Sequence, residues 1–187
     1  MARAGMADLI TRLRGMIYDP AGASQSLSDD EIQACFDARR MDFHQTPMYA
    51  QPTTLVGGSV AYYHYYASVG DWESAPTLQD SDYATLTASG TALDRGVWTF
   101  GTSQQPPVYI SGAAYDIYGA AVDALYQLLA KERAAIDFDA DGASFKRSQR
   151  VKHIEGLLKQ YGARALVGSV TMTRSDVNTV ASYVDRR

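Results

Sequence analysis

Asp137, Asp139 and Asp141 stand at alternate positions, and Gly142 follows the last of them. Carboxylates at that spacing before a turn glycine match the opening of an EF-hand calcium loop. The loop should close on a bidentate Glu at its twelfth position, and Ser148 stands there instead. The helix expected before it is also longer than the motif requires, and no second copy occurs. A tight acidic turn between two helices is the plainer chemistry. Asp141 or Ser144 then caps the next helix, and Gly142 supplies backbone freedom. Asp137, Asp139 and Asp141 are the one candidate ligand set; no metal or cofactor is expected.

Other reactive residue types are scattered. His44, His64 and His153 fall in three different elements, with no pair at a metal-ligand spacing on one helix. Cys35 is the single cysteine and sits on the apolar face of a helix, as a core residue would. One cysteine excludes an internal disulfide and favours an intracellular origin. There is no G-x-S-x-G, no phosphate-binding glycine loop before a helix, and no nucleophile beside an evident base. Catalysis is not expected.

The run Tyr62-Tyr63-His64-Tyr65-Tyr66, with Trp72 and Trp98, carries flat rings that could stack on sugars. In a strand, Tyr62, His64 and Tyr66 share one face, and Tyr63 and Tyr65 the other. The simpler expectation is one face packing the sheet core and the other meeting a protein, since tyrosine is enriched at interfaces. Tyr62, Tyr63, Tyr65, Tyr66 and Trp72 are therefore the expected contact surface. Lys146, Arg147, Arg150, Lys152 and His153 cluster at the start of the last helix. So few charges suit a solvated face or an intersubunit contact better than phosphate binding.

The elements that position these groups follow from periodicity. Residues 5–17 read as a helix with Leu9, Ile10, Leu13, Met16 and Ile17 on one side, broken after Pro20. Ser28-Asp29-Asp30-Glu31 fits a capping box and predicts a second helix to about Met41. From Asp42 to Ile110 the period drops to two. Thr53–Val56, the turn Gly57-Gly58 and Val60–Tyr66 predict a hairpin, with further strands at Tyr83–Thr87, Gly96–Phe100 and Pro107–Ile110. Ser111 to Ala165 reads as two helices, each roughly 30 Å long. Tyr118, Ala121, Leu125 and Leu128 form one stripe; Val151, Ile154, Leu158, Tyr161 and Ala165 form the other. Beyond Ala165 a strand-like stretch, 167–173, precedes a polar end, as in an arm that orders on a neighbour.

A chain of 187 residues can bury a real core in one domain. Its apolar content of 46% and charged content of 20% are those of an ordinary soluble protein, with no apolar run of membrane-spanning length. The N-terminus lacks the apolar stretch of a signal peptide. The net charge is −4, unevenly spread: residues 1–112 carry 6 basic and 12 acidic groups, and 113–187 carry 11 and 9. No Lys or Arg lies between Arg40 and Arg95. A DNA-wrapping protein needs a basic face, and this middle region would repel DNA.

Several stretches together resemble a known family. They are Trp98-Thr99-Phe100, Pro106 to Gly112, Ala114 to Ala121, and Asp137 to Gln149 with the helix to Tyr161, preceded by Leu27-Ser28-Asp29-Asp30-Glu31-Ile32. The chain is similar over most of 6–165 to the head-to-tail connector (adaptor) proteins of tailed bacteriophages. The most specific stretch is Ala-Asp-Gly-x-Ser-Phe-x-Arg-Ser-Gln at 140–149.

The resemblance implies a non-catalytic structural subunit in the virion neck, between capsid and tail, assembled in the host cytoplasm. It implies a ring, usually of twelve copies, docked on the portal protein. A stopper or tail-completion protein would bind the far side, and genomic DNA would pass through without sequence-specific binding; no membrane is involved. The fold expected is α+β: an antiparallel helical bundle of about four helices with an inserted small antiparallel β domain and an extended C-terminal arm. Its parts are an N-terminal helical hairpin (1–41), the β-rich insertion (42–110), the long helical hairpin (111–165) and the arm (166–187). Phe138, Asp141, Gly142, Phe145, Arg147 and Ser148 are the expected turn or subunit interface. Val170, Met172, Thr173 and Tyr183 are the expected portal or partner contacts. The other expectation is a carbohydrate- or receptor-binding virion module that uses the Tyr-rich β insertion.

Overall fold

The computed structural model describes residues 2–134, 139–140, 143–144 and 147–165. After a short 3-10 turn come α1 (Ala7–Ile17) and α2 (Asp29–Asp37). α2 starts where its sequence says: the Ser28 hydroxyl accepts from the Glu31 amide and the Glu31 carboxylate accepts from the Ser28 amide. It ends four residues before Met41. Arg40 and Met41 already belong to a strand, β1 (Arg40–Pro47).

Eight strands follow from this point to the next helix. They are β1, β2 (Tyr49–Thr54), β3 (Val60–Tyr66), β4 (Thr77–Gln79), β5 (Thr85–Leu86), β6 (Gly90–Ala92), β7 (Val97–Thr99) and β8 (Tyr109–Tyr115). They form two antiparallel four-stranded sheets, ordered β1-β8-β4-β5 and β2-β3-β7-β6. β2 and β3 make the expected hairpin, with the Gly58 amide closing the turn onto the Leu55 carbonyl at 3.0 Å. Then come α3 (Ile117–Ala134), the two-residue strands β9 (Asp139–Ala140) and β10 (Ala143–Ser144), and α4 (Arg147–Gly162).

The expected helical bundle with a small β insertion is corrected by this arrangement, because the sheets dominate and no separable insertion exists. Ser111 to Tyr115, expected to open the long helix, is the second half of β8. β8 as a whole pairs with β1 on one side, from Arg40↔Tyr115 to Pro47↔Tyr109, and its first half, Tyr109 to Ser111, pairs with β4 on the other. Alanine favours helix, but the β1 ladder through Ala113 and Ala114, with the Trp72↔Ala114 bridge, overrides a propensity of a few tenths of a kcal/mol per residue. α3 therefore begins at Ile117.

β8 also joins the two cores. Strand side chains alternate between faces. Ala113 and Tyr115 point into a cluster with Leu9, Leu13, Ile32, Phe36, Ala124 and Leu125 from the helices. Ile110 and Ala114 point into a cluster with Tyr65, Trp72, Leu78, Trp98 and Val108 from the sheets. One strand is thus a wall of both. α3 and α4 lie against each other and run antiparallel: the Tyr118 and Tyr161 rings are 6.0 Å apart at one end, and Arg150 meets Glu132 at 3.0 Å near the other. Ala120, Ala121 and Ala124 are fully buried, so small side chains let neighbouring elements approach α3 closely.

Candidate functional site

The aromatic residues do not form one surface. In β3, Tyr65 is sealed in the sheet core, its hydroxyl donating to the Gln104 carbonyl at 2.8 Å and its ring set edge-on to Phe100 at 5.6 Å. Trp72 is also buried. Its ring lies 5.7 Å from Trp98 and 5.0 Å from Phe43, and its indole N–H donates to the Val69 carbonyl at 2.8 Å. These two rings are structural and offer no face to a sugar. Tyr62, Tyr63 and Tyr66 are half-buried. The Tyr66 hydroxyl donates to Gln51 Oε1 at 2.7 Å across the hairpin, and His64 Nδ1 meets Thr99 Oγ1 at 3.2 Å.

The exposed apolar groups cluster elsewhere, at the hairpin tip. Every residue from Gln51 to Val60 is exposed; Val56 stands fully in solvent, and Leu55 and Val60 are 41% and 47% exposed. Tyr49, at the base of β2, is 73% exposed. Between Tyr49 and Tyr66 the chain has no Asp, Glu, Lys or Arg. In the sequence Val56 and Val60 read only as strand residues. The missing signal was the absence of charge around a Gly-Gly turn.

The polar groups are committed to holding elements together. Arg14 is nearly sealed at 5% exposure and donates to Asp19 Oδ2 (3.2 Å), the Asp19 carbonyl (3.0 Å), the Leu27 carbonyl (2.8 Å) and Asp29 Oδ1 (2.7 Å). Asp19 in turn accepts from the Ser26 and Leu27 amides at 2.6 and 2.9 Å. The connection between α1 and α2 is folded around this one guanidinium. Arg3 reaches Asp37 at 2.7 Å, Glu73 at 3.3 Å and the Tyr115 hydroxyl at 2.9 Å, joining the N-terminus to α2 and β8. Burial, then the hydrogen bond to Glu73, pushes the Tyr115 hydroxyl up to about 12. Arg39 grips Asp123 with two bonds of 2.7 and 2.9 Å, tying the end of α2 to α3.

None of these pairs is arranged as an acid, a base or a nucleophile. The Cys35 thiol is pushed up to about 11 by burial and receives Gln127 Nε2 at 3.3 Å, so it stays protonated. Among the described residues, no group of three His, Cys, Asp or Glu side chains could hold a metal ion, and no helix is long and apolar enough to cross a membrane. His153 packs on Tyr18, ring centroids 5.4 Å apart, and His44 is exposed.

Asp139 lies in β9, paired antiparallel with β10, and Arg147 and Ser148 open α4. Asp137, Phe138, Asp141, Gly142 and Phe145 lie outside the described residues, as do Val170, Met172, Thr173 and Tyr183. Arg150 of the expected basic cluster pairs with Glu132. Comparison of the chain with protein-family models, with curated proteins and with solved structures finds no match in any of the three.

Proposed function

We propose that the protein is a structural ring subunit of a tailed-phage neck, a head-to-tail connector. In this reading about twelve copies dock beneath the portal, and a stopper or tail-completion protein docks on the far side. Genomic DNA passes through the channel. The observation that carries the reading is the resemblance of residues 98–161. Its described parts fall on the elements that organise this fold: β7, β8, the entry to α3, and the α3–α4 pair. Support also comes from chemistry. The buried charges are satisfied by one another or by backbone, which suits scaffolding, and the middle of the chain lacks the basic face that would hold DNA in place.

The carbohydrate-binding alternative is weakened, because Tyr65 and Trp72 are occupied in the core. Electron microscopy of purified protein mixed with portal rings tests the proposal. Rings stacked coaxially on the portal are expected; absence of any complex with the portal refutes it.

A further inference from the structure

An open groove of about 460 Å³ runs beside α1, where the helix passes the turn between β6 and β7. Leu9, Trp72 and Leu93 form its apolar floor, and Asp8, Arg12 and Asp94 carry its charges. Those charges do not balance. Arg12 is committed to Asp71. Among the described residues no basic group stands within ion-pair distance of Asp8, and the Asp94 carboxylate meets only its neighbour Arg95, at 3.7 Å. The groove therefore favours an occupant with apolar side chains and a positive charge. It repels anionic lipid headgroups and phosphate backbones.

The chain itself leads toward this groove. α4 ends beside α1, where the Tyr161 hydroxyl donates to the Met16 carbonyl at 3.1 Å. The Arg164 and Ala165 amides both turn back onto the Tyr161 carbonyl at 2.9 Å, and Arg164 lies 5.7 Å over the Tyr118 ring. Ala165, the last described residue, is thus held near the final turn of α1. Asp8, Arg12 and Met16 follow one another at steps of four, so one face of α1 runs from that point to the groove. Met16 to Asp8 is about 12 Å of helix. Beyond Ala165 the sequence reads Leu166-Val167-Gly168-Ser169-Val170-Thr171-Met172-Thr173-Arg174, and Arg174 is its first charge. The stretch from Ala165 to Arg174 can span about 30 Å when extended, which covers the distance to Asp8. Val170, Met172 and Arg174 stand at alternate positions, so an extended chain presents all three on one face.

We propose that residues 167–174 lie along α1 of their own chain, with Val170 and Met172 over the Leu9–Trp72–Leu93 floor and the Arg174 guanidinium between Asp8 and Asp94. Exposed ion pairs are too weak to recruit a separate peptide. A tethered segment is presented at roughly millimolar effective concentration, so the same pairs suffice to seat it. The contact occupies Val170 and Met172, which are expected to meet the portal, while the subunit is free. It does not depend on the neck reading.

The full chain tests this in two ways. Asp8, Thr11 and Asp94 line the groove and are exposed, so the fold tolerates changes there. In a Thr11→Cys/Thr173→Cys chain, a short bismaleimide should join the two thiols within one molecule. Adding Arg174→Glu should slow that joining about tenfold, and further adding Asp8→Lys and Asp94→Lys should restore it. Without the added cysteines, trypsin should cut after Arg174 about tenfold faster in Asp8→Asn/Asp94→Asn than in the wild type, with unchanged melting curves. Cleavage follows the fraction of the segment that is off the groove. Links formed only between molecules place the segment on a second copy and overturn the proposal. So does joining that Arg174→Glu leaves undiminished, or trypsin cleavage equal in the two proteins. Portal-bound rings from a chain that forms no internal link overturn this contact and leave the neck proposal standing. An internal link in a chain that ignores the portal does the reverse.

Discussion

Arg14 and Asp19 form an ion pair whose side chains are 5% and 3% exposed, 3.2 Å apart, at the turn where α1 ends. Every remaining polar atom of the pair is engaged by backbone or by Asp29. Removing Asp19 leaves the Ser26 and Leu27 amides without their acceptor and Arg14 with only the more exposed Asp29, so Asp19→Ala should cost about 3 kcal/mol. Arg14→Met together with Asp19→Asn should cost clearly less than the sum of the single changes. Urea unfolding of the wild type, Arg14→Met, Asp19→Asn and the double variant checks this; additive losses would mean that the pair is not coupled.

Glu31 supplies the pH dependence. Its hydrogen bond from Lys131, at 2.8 Å, and then those from Ser28 lower its carboxyl from 4.5 to about 2. A depressed carboxyl pKa stabilises the fold above the unfolded value. That contribution is therefore intact above about pH 4.5 and fades as pH falls toward about 2. The group is two-fifths exposed, so solvent screening keeps the effect within about 1 kcal/mol. Glu31→Gln should narrow its stability deficit against wild type as pH falls from 5 to 2, which denaturant titrations at each pH (roughly one-unit steps) resolve.

Local signals carried the local elements. The Ser28–Glu31 box, the alternation of Val60 to Tyr66 and the Gly57-Gly58 turn are each complete within a few residues, and each element formed where they say. Ser111-Gly112-Ala113-Ala114-Tyr115 was misread because nothing within it is a strand signal. Its state is decided by partners about 70 residues upstream in β1, with Trp72 bridging Ala114 and Thr77 meeting Ser111. The Arg3–Glu73–Tyr115 and Arg39–Asp123 contacts were hidden for the same reason, since charges far apart in sequence show no spacing. The tyrosine run signalled a strand but not which of its rings would be sealed. That depended on Phe100 and Gln104 covering Tyr65.

Gly96 should resist substitution. Its φ is +65°, and an added Cβ would collide with the Val69 carbonyl oxygen. The Ala67 amide also bonds to the Gly96 carbonyl at 2.8 Å, so the backbone has little room to shift. Gly96→Ala should destabilise by about 2 kcal/mol or more, combining left-handed strain with a backbone clash. Gly15, with open space where its Cβ would stand inside α1, should instead gain from Ala by about 0.5–1 kcal/mol. Thermal melts of the two variants should move in opposite directions.

Cys35 should be silent to thiol reagents in the native protein. Its side chain is 2% exposed, and burial holds the thiol near 11, so almost no thiolate exists at neutral pH. Labelling with a maleimide should proceed only as fast as the helical core opens, and should become rapid in denaturant. Fast labelling of the native chain would show that α2 detaches from α3 far more readily than its packing suggests.

Trp72 separates scaffolding from ligand binding. It bridges the sheet core to β8 through an isolated backbone pairing with Ala114 while its ring meets Phe43 and Trp98. Trp72→Ala removes a fully enclosed ring, and large aromatic deletions of this kind cost about 3–5 kcal/mol. Trp72→Phe keeps part of the packing but leaves the Val69 carbonyl without its indole donor, so a smaller loss of about 1–3 kcal/mol is expected. Both losses should appear in unfolding curves. A sugar platform would behave otherwise: Trp72→Ala would abolish glycan retention on an array while the melting curve stayed in place. Tyr62→Ala and Tyr66→Ala, at half-buried positions of β3, complete the comparison. If either loses glycan retention without loss of stability, the tyrosine face is a ligand surface, and the carbohydrate-binding reading replaces the neck reading.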